Sequence, residues 1–256
     1  MILNHRIQGE GEPLFILHGL FGSSDNWNTL GKRFAEHRQV ILVDQRNHGR
    51  SFHTEEMNYS VMAEDLIRLM DHLTIERADM LGHSMGGKTV MKTALDHPER
   101  VERLIVADIG PQDYVSHHDE ILDAMFSLDL DSLDSRSDAV ARLSEKLGSP
   151  SVVQFLAKNL YWVEKGRLAW RMNLQVIADH LDEILSSVGQ EVYSGETLFV
   201  RGTASDYIVD TDMMALHIQF PQSEVKSIEG AGHWLHAERP DEFFQIVTEF
   251  LGDSAM

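Results

Sequence analysis

The sequence predicts an α/β protein: an open, mostly parallel sheet flanked by helices, with a helical segment inserted late in the chain. Three observations predict it. Unbroken apolar runs recur through the first half, each ending at a turn residue. Stretches with helical periodicity lie between them. Residues 112–190 are then helical in pattern throughout, before the apolar runs resume. Continuous runs, as opposed to alternating ones, suit strands buried on both faces of a parallel sheet, and strand–helix–strand repetition implies right-handed crossovers.

The elements follow in order. ILNHRI (2–7) reads as an antiparallel edge strand, and PLFILHG (13–19) as a buried strand ending at a His-Gly turn. Trp27, Leu30 and Phe34 recur at helical spacing over 24–37, and QVILVD (39–44) is the next strand. Met62, Leu66, Leu69, Met70 and Leu73 share one face of a helix over 59–73, with Ser60 placed as an N-cap. ADMLG (78–82) and RLIVAD (103–108) bracket a helix over 88–95 that His97-Pro98 would end. Within 112–190 the periodicity predicts helices at 118–128, 134–147, 152–160 and 174–188, and no strand. TLFVRG (197–202), EVKSIEG (224–230) and a helix over 240–251 close the chain. The division is therefore a core of residues 1–111 and 191–256 and a cap of 112–190. An insert at that point overhangs the carboxyl ends of the strands, where open α/β sheets bind ligands, and so reads as a lid.

Composition narrows the function. Against 41 Asp and Glu stand 22 Lys and Arg, a formal net charge of −19. That balance argues against a nucleic-acid partner, which needs a basic footprint, and against an anionic membrane surface. With no cysteine, thiolate catalysis, disulfides and cysteine-ligated zinc are excluded. No signal-like start and no run of 18 apolar residues is present, so the expectation is a cytoplasmic protein, monomer or homodimer. The histidines show no H-E-x-x-H spacing, and neither metal nor cofactor is expected.

The sharpest local signal is Gly82-His83-Ser84-Met85-Gly86-Gly87 between a strand and a helix. A G-x-S-x-G in that context is a nucleophile elbow, a strained turn that projects the serine hydroxyl over the sheet. Serine needs an adjacent base. Of 14 histidines, His233 sits in Gly230-Ala231-Gly232-His233-Trp234, a turn after the last strand, with His236 as the fallback. An acid must hold that base in the right tautomer. Asp108 and Asp206 both satisfy the order Ser, Asp, His, and Asp210 is a weaker third. Developing oxyanion charge needs fixed donors: the amides of Leu20, with Phe21 next, in His18-Gly19-Leu20-Phe21-Gly22, and of Met85. That glycine-rich loop lacks the Lys-Ser/Thr of a P-loop. Arg46, Asn47 and His48 lie at the rim of the same face, and the stretch 159–173, with Trp162, Trp170 and Arg171, reads as packing between lid and core.

HGLFGS, DQRNHGRS, GHSMGGK, ADIGPQDY and GAGHWLHAERP, in this order, resemble the α/β-hydrolase superfamily over essentially the whole chain, and within it the YbfF-type esterases, which include the abhydrolase-domain-11 proteins. The resemblance implies an eight-stranded sheet, a helical cap inserted after the sixth strand and a Ser/Asp/His triad. It implies hydrolysis of small-molecule carboxylic esters with short or medium acyl chains. In the YbfF-like branch the acid matches Asp108; elsewhere in the superfamily it lies near Asp206. Thioester, lactone, C–C bond and peracid chemistry use the same machinery, whereas dehalogenases and epoxide hydrolases need an aspartate where Ser84 stands. A non-catalytic receptor on the same fold is the reading from outside enzymology.

Overall fold

The computed structural model describes residues 1–253. β1 (His5–Gln8) and β2 (Pro13–Leu17) open the chain, and a 3₁₀ turn over Ser24–Trp27 leads into α1 (Asn28–Phe34) and β3 (Gln39–Val43). Then come α2 (Tyr59–Leu73), β4 (Ala78–His83), α3 (Met85–Asp96) and β5 (Val101–Ala107). The insert carries α4 (Asp119–Phe126), α5 (Arg136–Lys146), α6 (Pro150–Ala157), a hairpin of β6 (Leu160–Glu164) and β7 (Arg167–Trp170), α7 (Leu174–Asp179) and α8 (Leu181–Leu185). β8 (Thr197–Gly202), α9 (Met213–Gln219), β9 (Ser223–Ile228), the short α10 (Leu235–Glu238) and α11 (Pro240–Phe250) complete it.

The main sheet runs β1-β3-β2-β4-β5-β8-β9, parallel except for β1, which pairs antiparallel with β3. It has seven strands, not eight: residues 1–12 hold a single four-residue strand before β2. The insert accordingly follows the fifth strand in chain order and not the sixth.

The unbroken apolar runs are buried on both sides. In β2, Leu14 and Ile16 pack with Trp27, Leu30 and Phe34 of the α1 region and Phe243 and Val247 of α11. Phe15 and Leu17 face the other way, onto Leu66, Met70, Val90 and Met91 of α2 and α3. That second cluster continues into the insert through Leu122, Met125 and Leu156, so one apolar body joins sheet and insert.

Three local expectations need correction. The N-cap of α2 is Asn58, whose Oδ1 accepts the Val61 amide at 3.0 Å; Ser60 already lies inside the helix. The helix expected over 174–188 breaks into α7 and α8 at His180. The insert also contains a hairpin where none was expected: Gly166, at φ +84°, turns it, and Trp162 and Val163 on it are exposed, so no apolar alternation marks the strands. Trp162 therefore does not join cap to core, although Trp170 packs against the main cluster. Among the described residues no helix is long and apolar enough to cross a membrane.

The strand order reverses between β2 and β4: from β2 the chain crosses one way to β3, then back over β2 to β4. Loops leaving the carboxyl ends of two such neighbours diverge and open a crevice. The opposite end of the sheet is locked by Asp79 on β4, buried, which accepts from Arg38 at 2.5 Å and from Arg103 at 2.8 and 2.9 Å. Both arginines also donate to the Leu251 carbonyl. Asp79→Ala removes the carboxylate partner of Arg103 and one of the two that hold Arg38, the other being Asp253, and should lower unfolding free energy by about 3 kcal/mol, read from the urea midpoint. Asp79→Asn should fall between it and the parent.

Candidate active site

Ser84 sits at the switch point, between β4 and α3, at φ +52° and ψ −121°, a backbone region costly for any residue with a side chain. The turn is held by the Ser84 amide donating to the Ala107 carbonyl at 3.0 Å and the Lys88 amide donating to the Ser84 carbonyl at 3.0 Å. Its flanking glycines are dictated by space. A Cβ on Gly82 would lie 2.1 Å from the Gly86 carbonyl oxygen, and one on Gly86 2.6 Å from the His18 carbonyl oxygen. Backbone cannot yield to a methyl group, so only glycine fits.

Asp108 ends β5, fully buried and also at positive φ, +52°. Its Oδ2 accepts from His233 Nδ1 at 2.8 Å and from the Ser205 hydroxyl; its Oδ1 accepts the Gly202 amide at 3.0 Å. With Nδ1 as donor, His233 Nε2 is left as an acceptor. Asp206 is exposed, and Asp210 pairs with Arg201 at 2.7 Å; neither reaches His233. Ser84 and His233 line one cavity of about 650 Å³. Ser84 Oγ has no hydrogen-bond partner among the described residues, as is common before substrate tightens such a site.

Five other histidines crowd the same region, His118 on the cavity wall among them, and burial lowers the pKa of each. His48 and His236 fall to about 3, His83 falls well below the usual range with His236 and His233 adding to the effect, and His18 falls with them. Each of the first-loop histidines works as a neutral donor–acceptor bridge. His18 donates from Nδ1 to the Gly19 carbonyl and accepts the Gln45 amide on Nε2. His48 donates to the Arg46 carbonyl and accepts the Phe21 amide at 3.3 Å. His83 donates to the His233 carbonyl at 2.8 Å. His236 stacks on Trp27 at 4.3 Å, with its Nδ1 buried and unpaired.

These bridges decide which amides of the first loop are free. Phe21 N–H is taken by His48, and Gly22 N–H by the Gly19 carbonyl. Leu20 N–H has no partner among the described residues. Met85 N–H is the first of α3 and so has no intrahelical acceptor. Asn47 and Arg46 are structural: Asn47 O accepts from Asn173 of the insert at 2.8 Å, and Arg46 bonds Asp65 at 2.6 Å.

Sequence reasoning missed three neighbours. Ser205 braces Asp108. Tyr207 stacks on His233 at 4.0 Å and 22°. Lys88 is fully buried and donates to carbonyls of the insert: Gln112 at 2.7 Å, Leu185 at 3.2 Å and Ser186. Burial pulls its ammonium down to about 7, against the opposing charge of Asp113; the face of Tyr114 lies 4.8 Å away. The adjoining GHSMGGK motif put Lys88 in view, but nothing in its spacing showed an inward ammonium. Among the described residues no group of three His, Asp or Glu side chains gathers as a metal cluster.

Comparison with known proteins fits this geometry. Residues 12–159 match the alpha/beta hydrolase fold family. The chain is 39% identical to the mouse sn-1-specific diacylglycerol lipase ABHD11, covering 93% of this chain and 80% of that one. It is 36% identical to Esterase YbfF of Escherichia coli, covering 96% and 95%. A solved marine microorganism esterase superposes with a TM-score of 0.95 at 40% identity, over 97% of this chain and 99% of that one.

The Lys88 contacts make a checkable statement about how the insert is held. Lys88→Met keeps the length of the side chain and leaves buried carbonyls without a donor, which should cost about 1–3 kcal/mol. Thermal melting should report the loss, and limited proteolysis should cut within 112–190 first.

Proposed function

The chain belongs to the α/β-hydrolase fold family, and on that premise we propose that it is a cofactor-independent serine esterase acting on carboxylic esters with short- to medium-length acyl chains. The observation that carries the reading is the buried Asp108–His233 bond of 2.8 Å beside a strained Ser84 that lines the same cavity. Relatives named as an esterase and a lipase support ester hydrolysis.

In this mechanism Ser84 Oγ attacks the ester carbonyl while His233 Nε2 accepts its proton. Asp108 fixes the tautomer and stabilises the imidazolium. The amides of Leu20 and Met85 receive the oxyanion, and the amino end of α3 adds its dipole. His233 then protonates the departing alcohol, and water, deprotonated by His233, releases the acid from Ser84. Residues 112–190 act as the lid over the core of 1–111 and 191–256.

Ser84→Ala should fold normally and lower kcat by roughly 10⁴-fold or more. Asp108→Asn should lose roughly 10⁴-fold, and Asp206→Asn should retain parental kcat; the reverse order would reassign the acid. Steady-state hydrolysis of p-nitrophenyl esters measures all three. The pH–rate profile offers a separate check. Burial lowers His18, His48, His83, His118 and His236, so they stay neutral at neutral pH and add no proton there. The acid limb of kcat/KM should thus have a slope of one, from a single base.

A further inference from the structure

A second, much smaller cavity of about 20 Å³ meets the large one at Ser84. Leu20, Ser84, His118 and Tyr207 belong to both, but the remaining walls differ. His233 lines only the large cavity, and Met85 only the small one. We propose that the small cavity is the acyl site and the large one the alcohol site, so that the substrates are acetate- and propionate-sized esters of bulky alcohols. This rests on Ser84 as nucleophile and His233 as base.

The tetrahedral carbon fixes the orientation. One of its four bonds goes to Ser84 Oγ, and its oxyanion points at the Leu20 and Met85 amides. A third goes to the leaving alkoxide. As the C–O bond to the alcohol breaks, that oxygen takes the proton that His233 removed from Ser84, so the alcohol must lie on the side His233 lines. The acyl chain has only the remaining direction, into the small cavity. Its remaining walls are Met85, Ile109, Ile184, Leu185, the rings of Tyr59 and Tyr114, and Lys88, whose ammonium is engaged by the carbonyls of Gln112, Leu185 and Ser186. The four aliphatic side chains among them are all buried. A space of about 20 Å³ compares with the ~10–15 Å³ that a single water-sized probe requires. By that measure it suits a short acyl group and not a long one.

The large cavity is of another kind. Phe155 and Trp234 line it with their rings tilted at 43° and 5.5 Å apart, and Asn26, Thr29, Lys158 and Glu238 add polar walls. Its volume lies within the range of sites that enclose whole small molecules. A long acyl chain would fit there only by sending the alcohol away from its proton donor.

The test is a two-way ester series: p-nitrophenyl acetate, propionate, butyrate and hexanoate, and acetates of methanol, benzyl alcohol and 2-naphthol. For the parent, kcat/KM should fall at least about tenfold from propionate to hexanoate, since pocket discrimination per methylene runs from about 10-fold upward. Acetates should improve as the alcohol grows. Ile184→Ala and Ile109→Ala, checked for folding by circular dichroism, should each raise the hexanoate/acetate ratio about tenfold, whereas Phe155→Ala should alter the alcohol series and leave the acyl ratio unchanged. A parent that prefers hexanoate, or an acyl ratio that moves with Phe155→Ala and with neither isoleucine variant, overturns the assignment. Ester turnover that survives Ser84→Ala would instead overturn the reading beneath it.

Discussion

The close approach of the first turn of α3 to the ends of β2 and β4 is the constraint on which the rest of this molecule depends. Gly86 lies against the His18 and Leu17 carbonyls, and Gly82 against Gly86 itself, so backbone packs directly on backbone. The chain can pass from β4 into α3 in that space only through a left-handed residue, and Ser84 is that residue. Three other side-chain-bearing residues at positive φ cluster nearby: Phe21, Asn47 and Asp108, which follow β2, β3 and β5. Strain of this kind persists only where the surroundings over-determine it. Here the surroundings are the sheet below and the network of buried histidines above.

That network explains how so many histidines share one region. An imidazole that donates from Nδ1 and accepts on Nε2 satisfies two buried backbone groups while remaining uncharged. Burial favours that neutral state in His18 and His48, and their bridges leave the amide of Leu20 available while engaging that of Phe21. His233 differs by its partner. It faces a carboxylate, Asp108, which can stabilise a positive ring, whereas His83 and His236 face other imidazoles and an indole. Position on a turn and the chemistry of the neighbour, more than residue type, set His233 apart from the other imidazoles.

Much of this was legible in the sequence, for physical reasons. Strands buried on both faces write themselves as unbroken apolar runs, and the boundaries of α2 and β8 follow from periodicity and composition. The elbow is legible because backbone contact demands glycine at fixed offsets from Ser84. The two acids were not separable: Asp108 and Asp206 each follow a strand, and only the folded arrangement brings the first within 2.8 Å of His233 and leaves the second exposed. The hairpin at 160–170 escaped because its outer face is apolar yet exposed. The seven-stranded sheet departs from the eight implied by resemblance because family likeness carries over topology more faithfully than it does edge strands.

The insert itself is held unevenly, and this bears on how the site can discriminate. Its second half is tied to the core by polar contacts: Asn159 to the Phe21 carbonyl at 2.7 Å, buried, Asn173 to that of Asn47, and, at the surface, His180 to that of Glu55. Lys88 and Tyr59 hold the carbonyls around Ile184 and Leu185. From 115 to 158, by contrast, no side-chain hydrogen bond or ion pair reaches the core among the described residues; α4, α5 and α6 rest on apolar contact. Apolar contact is non-directional and tolerates sliding, while buried polar bonds fix position because breaking them strands a partner. Of the insert residues on the small cavity, Ile184 and Leu185 belong to the fixed half, whereas His118, shared by both cavities, and Phe155 and Val152 of the large one belong to the adaptable half. On the proposed orientation of the ester, the acyl side therefore meets the more rigidly held walls and the alcohol side the more adaptable ones.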